Sequence, residues 1–303
     1  MKPDIVSIGE PLIEFNQTRP GEPHYLQGFG GDTSNVAIAA ARQGARVAYV
    51  TRVGDDEFGR AFRTLWEEEG VDAGGVATDA AAHTGVYFVT HGPKGHVFSY
   101  ARAGSAASRM TARDLPPDLL RSARFIHASG ISLAISQSAG EAVLAAFEAA
   151  QTVSFDSNLR LRLWPIERAR AMIAQAAALA DYFFPSAEDA EALSGRKEPD
   201  ALLDWAHGLG ASNVLLKLGG EGVVVSDGRT RTRIAGHRVK AVDGTGAGDC
   251  FCGATLARLA AGDSLLEAAR YGNAAAALKT TGYGAVAPVP RPEAVRALLN
   301  SER

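Results

Sequence analysis

The chain has 303 residues, 46% hydrophobic and 21% charged, a composition that supports a large folded core and excludes the low-hydrophobicity, high-charge class of disordered chains. Its formal charge of -3 lacks the basic excess that neutralises a phosphate backbone, which argues against nucleic acid as a partner. Without a run of 18 apolar residues nothing spans a membrane, and two cysteines, Cys250 and Cys252, cannot build a four-ligand zinc site, so a reduced, cytoplasmic protein is expected.

The opening MKPDIVSIGE enters a strand-like run at once, without the basic and apolar segments of a signal peptide. Ile5 to Gly9 reads as a buried strand, and Ser34 to Gln43 as an Ala-rich helix closed by Gly44. Val47 to Val53 is the next strand, and a helix from Asp56 to Glu69 ends at Gly70. This β-α-β-α order implies a parallel sheet with helices against it. Gly85 to Tyr100 then reads as a hairpin around Gly92-Pro93-Lys94-Gly95. With the polar segment Leu12 to Gly28 it would form a small sheet standing off the main domain, from which a lid would come. Strands resume at Phe125 to Ser129, Val153 to Asp156, Tyr182 to Phe184 and Asn213 to Leu218, separated by helical stretches. A hairpin, Gly222 to Ile234, turns at Asp227-Gly228, and Ala-rich helices follow at Ala247 to Ala261 and Ser264 to Thr281. Arg229, Arg231 and Arg233 alternate as one solvated strand face would. The expected fold is α/β, a central mostly parallel sheet flanked by helices with a small β-sheet lid. Residues 1–11, 30–84 and 104–303 would form the main domain, and 12–29 and 85–103 the lid. Apolar lid residues such as Val86, Phe88 and Phe98 suit a homo-oligomer formed through the lid.

Asp243-Gly244-Thr245-Gly246-Ala247-Gly248-Asp249 lies between a strand and a helix. Its glycines let backbone N–H groups converge, and the helix N-terminus adds partial positive charge, so the loop suits developing negative charge on phosphate. A carboxylate at the end of such a cradle repels phosphate unless it takes part in the chemistry, by accepting a proton from an attacking hydroxyl. The plain structural reading is a Gly-rich turn with Asp249 as a helix cap. A dinucleotide fingerprint fails on spacing, and no Gly-Lys pair exists to make a P-loop. A second cluster, Gly28-Phe29-Gly30-Gly31-Asp32, leads to Asn35, where Asp32 or Ser34 could simply cap the helix. The seven histidines are scattered and take no role.

Taken in order, these two segments resemble the two signatures of the ribokinase-like (PfkB) carbohydrate kinases, a resemblance that covers essentially the whole chain. It implies ATP and Mg2+ as cofactors and a small-molecule sugar or sugar acid as partner. Asp249 would be the catalytic base, the amides of Gly246, Ala247 and Gly248 the anion hole, and Gly30, Gly31, Asp32 and Asn35 the sugar-binding signature. Lys217, Gly219, Gly220 and Gly222 are similar to the family's turn beside the ATP phosphates, and Asn273 and Ala276 to the edge of its adenine pocket. Asp243 and Thr245 would supply part of a K+ site. Relatives often carry Asn-x-x-Glu, whereas Pro185-Ser186-Ala187-Glu188 keeps only Glu188, left to reach magnesium through water.

Tyr100-Ala101-Arg102 and Asp156-Ser157-Asn158-Leu159-Arg160 each bring an arginine to the expected pocket. A guanidinium grips a carboxylate through paired hydrogen bonds, and the alternative for each is a surface salt bridge. Within the family these segments look most like the 2-keto-3-deoxygluconate kinases, which implies Tyr87, Tyr100, Arg102 and Arg160 as substrate contacts and the 6-hydroxyl as acceptor. Fructokinase or another neutral-sugar kinase is the alternative. A non-catalytic sugar sensor has no use for Asp249, and a dehydrogenase lacks its fingerprint.

Overall fold

The computed structural model describes residues 2–92 and 95–301. Pro93 and Lys94 of the expected turn therefore lie outside the described residues. The strands are β1 Ile5–Ile8, β2 Leu12–Gln17, β3 Tyr25–Gly30, β4 Val47–Gly54, β5 Val71–Asp79, β6 Gly85–Gly92, β7 Gly95–Ala101, β8 Phe125–Ser129, β9 Val153–Asp156, β10 Tyr182–Phe184, β11 Asn213–Lys217, β12 Gly222–Ser226 and β13 Arg231–Ala235. The α-helices are α1 Asp32–Arg42, α2 Glu57–Glu68, α3 Pro117–Ser122, α4 Gly130–Ala134, α5 Gln137–Glu148, α6 Ile166–Ala178, α7 Ala187–Ser194, α8 Pro199–Gly208, α9 Ala247–Ala261, α10 Leu265–Lys279 and α11 Pro292–Ser301.

Nine strands form one sheet in the order β13-β12-β11-β10-β9-β8-β1-β4-β5, parallel except for the antiparallel pairs that β12 makes with β11 and β13. Central strands such as β8 and β9 are buried along their whole length, as strands covered on both faces must be. Their side chains alternate between two apolar layers. Val6, Ile8, Ile126 and Phe155 meet α5, α6 and α8, whereas Ile5, Tyr49, Phe125 and Leu215 meet α1, α2, α9 and α10. Arg231 and Arg233 on β13 face outward and pair with Asp200, Asp204 and Glu221, the solvated face their alternation indicates. β5 is not announced by its sequence, because Gly74-Gly75 interrupts the apolar pattern and much of this edge strand is exposed.

A second sheet of four strands runs in the order β3-β2-β6-β7. Its composition corrects the expected oligomer face. Val86 is buried against the main core and Phe98 turns to the opposite side of the sheet from Phe88, beside Leu12, Tyr87 and Val89, so the three do not share an outer surface. Tyr25, Leu26, Phe88, Val97 and Tyr100 are the exposed large hydrophobic residues there. Among the described residues no helix is long and apolar enough to cross a membrane.

α1 starts at Asp32 rather than Ser34, behind Gly31, whose φ of 93° turns the chain from β3 into the helix. Asp32 and Ser34 are consequently inside the helix and neither caps it; Ser34 Oγ instead accepts from Trp66 Nε1 at 3.0 Å. α1 and α9 pack closely because Gly253 has no side chain. A Cβ at that position would lie 2.5 Å from the Val36 carbonyl oxygen and 2.8 Å from Ala39 Cβ. Arg42 pins the far end of α1, donating to both carboxylate oxygens of Glu69 and to the carbonyls of Val286 and Val289. Gly253→Ala should therefore force the two helices apart and lower the unfolding free energy by about 1 to 3 kcal/mol, read from the urea midpoint.

Candidate active site

The chain leaves β1, returns through β4 and β5, and re-enters the sheet on the other side of β1 as β8, so a crevice opens at the C-terminal strand ends where the order reverses. A cleft of about 1270 Å³ occupies this place, roofed at one end by the second sheet. Residues at or just beyond the C-terminal ends of β1, β9 and β11 supply its polar floor, namely Glu10, Asp156, Asn158 and Lys217, and α1 and α9 supply Asp32, Asn35 and Asp249.

Every carboxylate on this floor has a partner. Asp249, in the first turn of α9, accepts from Asn35 Nδ2 at 2.8 Å, and Gly246, in the left-handed conformation, starts the helix without a side-chain cap. Asp249 is therefore not a helix cap. Asp32 accepts from Asn158 Nδ2 at 2.8 Å, and Asn158 holds the positive φ of 28° needed to aim that amide. Asp156 pairs with Lys217 Nζ at 2.6 Å. Burial is the main cause that pushes the Asp249 carboxyl up to about 7, with the Asp32 and Asp156 charges adding to it and Asn35 and Lys217 opposing. Burial alone would lower the Lys217 ammonium, but Asp156 and the other acidic groups around it hold it above its usual value. Lys217 also reaches the glycine loop, its Nζ standing 3.5 Å from where a Cβ on Gly248 would be. From beneath, the buried Lys279 donates to the Asp243 carbonyl at 3.0 Å and fixes the start of the loop. Asp32 Oδ1 and Asn35 Oδ1 are buried without a hydrogen-bond partner, two acceptors left for hydroxyl donors.

Under the second sheet the cleft is lined by Leu12, Tyr87, Phe98, Tyr100, Arg102, Arg160 and Arg162. Arg102 is neither free nor in a surface salt bridge: its Nη2 donates to the buried Glu10, and its guanidinium stands 5.6 Å from the Tyr100 ring. Arg160 is exposed to the cleft and, among the described residues, makes no ion pair, only a 2.8 Å bond to the Leu159 carbonyl. Arg162 donates to the Phe98 carbonyl at 3.3 Å, tying the loop after β9 to the second sheet. Tyr87 donates its hydroxyl to Glu14 on the neighbouring strand.

Gly219, Gly220 and Gly222 line the opposite end with His237, Arg238, Asn273 and Ala276. Asn273 Nδ2 is engaged with the Ala235 carbonyl at 2.8 Å, so this amide shapes the wall more than it offers a donor. Glu188, in the first turn of α7, faces the middle of the cleft. Among the described residues no three His, Cys, Asp or Glu converge as a metal cage. A hard ion that keeps its waters and leans on substrate phosphates fits a single Glu188.

Of the residues expected from sequence, the cleft gathers Gly31, Asp32, Asn35, Tyr87, Tyr100, Arg102, Arg160, Glu188, Lys217, Gly219, Gly220, Gly222, Thr245, Gly246, Ala247, Gly248, Asp249, Asn273 and Ala276. Two stay outside it. Gly30 lies beneath Tyr87, whose hydroxyl would meet a Cβ there at 2.6 Å, and Asp243 uses its carboxylate to accept from the amides of Thr245 and Gly284, both at 2.9 Å. Glu10, Asp156, Asn158, Arg162 and Arg238 line the cleft without having been expected to. For Glu10 and Asp156 the signal was present, an acid at or just past the C-terminal end of a buried strand.

A model of the pfkB family of carbohydrate kinases matches residues 2–292. A 2-dehydro-3-deoxygluconokinase of Thermoproteus tenax is 36% identical over 98% of this chain and 94% of its own length. A fructokinase of Solanum habrochaites, fructokinase-2, is also 36% identical, over 97% of this chain and 95% of its own. Among solved structures, a fructokinase with bound ATP from Xylella fastidiosa superposes with a TM-score of 0.93 at 26% identity, covering 100% of this chain and 99% of that one. Independently of any ligand, the Asp249 carboxyl should titrate near pH 7 by carbon-detected NMR, and Asp32→Asn should move that midpoint downward by removing the neighbouring negative charge.

Proposed function

Because this chain belongs to the pfkB family and is a carbohydrate kinase, we propose that it transfers the γ-phosphoryl group of ATP to the 6-hydroxyl of 2-keto-3-deoxygluconate. The observation that carries the choice of a sugar acid is Arg160, a cleft guanidinium that makes no ion pair among the described residues and lines the same cleft as Arg102 and Arg162. The chain's acidic groups Asp32 and Asp249 occupy the cleft floor, so an acid substrate lies with its carboxylate toward the arginines and its hydroxyls toward Asp32, Asn35 and Asp249. A neutral sugar leaves Arg160 without an ion-pair partner. Fructokinase is the second reading, favoured by relatives of that name at the same identity.

In this reading Asp249 accepts the proton of the attacking hydroxyl, and the amides of Gly246, Ala247 and Gly248 at the α9 N-terminus stabilise charge on the transferring group. Lys217 and the turn Gly219, Gly220 and Gly222 flank the phosphates of ATP, with Asn273 and Ala276 shaping the wall at the base. Magnesium, when bound, neutralises phosphate charge, and Glu188 is the residue to hold it through water. The second sheet acts as a lid, with Arg162 joining it to the main domain and excluding water from the cleft.

Asp249→Asn should lower turnover by about 10²- to 10⁴-fold with binding largely kept, and wild-type activity should climb with pH through about 7 as the Asp249 carboxyl ionises. Near-normal turnover in the variant would remove Asp249 as base. ADP release should be measured with 2-keto-3-deoxygluconate, fructose, ribose and gluconate offered separately. The first should be preferred, and Arg160→Ala should cost its use about 1.5 to 3 kcal/mol while leaving fructose unchanged. Preference for fructose would retain the kinase and refute the acid.

A further inference from the structure

The acid that pairs with Arg102 is itself a cleft residue. Glu10 follows β1, lines the cleft and is only 1% exposed. One of its oxygens accepts from Arg102 Nη2, and the other accepts from Ser105 Oγ at 2.5 Å. The start of β6 closes the site on a further side, since a Cβ on Gly85 would come within 3.0 Å of Glu10 Oε1. Arg102 thus reaches the cleft from the second sheet with its charge already matched. Arg160 and Arg162, which line the same cleft, are not matched in this way, because neither makes an ion pair among the described residues.

Resting on the sugar-acid reading above, we propose that Glu10 sets the preference of the cleft between acid and neutral sugars: it fixes the Arg102 guanidinium in place and offsets its charge. The buried pair cannot rearrange freely, because Ser105 and the β6 backbone enclose the carboxylate. The attraction felt by a substrate carboxylate therefore comes mainly from Arg160 and Arg162, while Arg102 contributes donors of fixed direction. Its Nε, buried without an acceptor, shows that the guanidinium is not saturated by protein. Neutral sugars then escape the full penalty of facing an uncompensated cation.

Glu10→Gln is the sharpest test. The amide keeps the shape, its oxygen still accepts from Arg102, and its NH2 donates to Ser105 Oγ, but the negative charge is gone. The ratio of kcat/KM for 2-keto-3-deoxygluconate to that for fructose should rise about tenfold, the size expected for unmasking one charge a few ångströms away at intermediate dielectric. An unchanged or lower ratio overturns the proposal. The double variant Glu10→Gln, Arg102→Gln replaces the buried ion pair by an amide pair, a change that folds generally tolerate, and carries the test should the single variant not fold. Its ratio should return to the wild-type value or below, and a ratio above wild type overturns the proposal. If the wild-type chain prefers fructose, the substrate reading fails, and the Glu10 assignment is read separately by calorimetry. There Glu10→Gln should tighten the binding of 2-keto-3-deoxygluconate and of gluconate about tenfold, and its failure to do so overturns the assignment.

Discussion

Three aspartates, Asp32, Asp156 and Asp249, are brought together under one cleft, and the rest of the site follows from the need to keep that much negative charge away from bulk water. Each is answered differently. Lys217 gives Asp156 a full counter-charge, while Asn158 and Asn35 give Asp32 and Asp249 only amide donors. The difference matters chemically, because burial raises the Asp32 carboxyl above its usual range and pushes the Asp249 carboxyl up to about 7, with neighbouring acidic charge adding to both. The backbone bears part of the cost, since Asn158 is the one non-glycine residue with positive φ among the described residues.

The same logic separates the two ends of the cleft. The end beneath the second sheet carries arginines, and the far end carries glycines whose missing side chains leave backbone and Lys217 facing the cavity. Between them stands the α9 N-terminus with Asp249 in its first turn, so positive backbone dipole and acidic side chain act on the same small volume. Its place depends on tight helix packing, because Gly253 alone permits α9 to approach α1, and Asn35 on α1 is the partner of Asp249.

Much of this was legible in the amino acids. The buried strands β1, β4, β8, β9, β10 and β11 read directly from apolar runs, and the glycine loop ahead of α9 stood out between a strand and a helix. What escaped was set by tertiary partners. The Gly-Gly interruption hid β5, which is a strand because β4 pairs with it. Asp32 reads as a cap when only its helix is considered; its actual partner, Asn158, is 126 residues away. Arg102 reads as a substrate contact or a surface salt bridge because nothing in the neighbouring sequence points to the buried Glu10, which approaches it from the end of a different strand. Single side chains declare their type in a sequence, but whether a charge is spent inside the protein is decided by pairings between distant segments.

The hydrogen bond from Asn35 to Asp249 spans 214 residues. During synthesis from the N-terminus, the half of the cleft that Glu10, Asp32 and Asn35 define exists in the chain long before α9 has been made. This late, long-range contact joins α9 to α1 at the floor of the cleft. A chain that ends before residue 243 contains Asn35 but neither the glycine loop nor Asp249, so the floor of the cleft is complete only once α9 has been made.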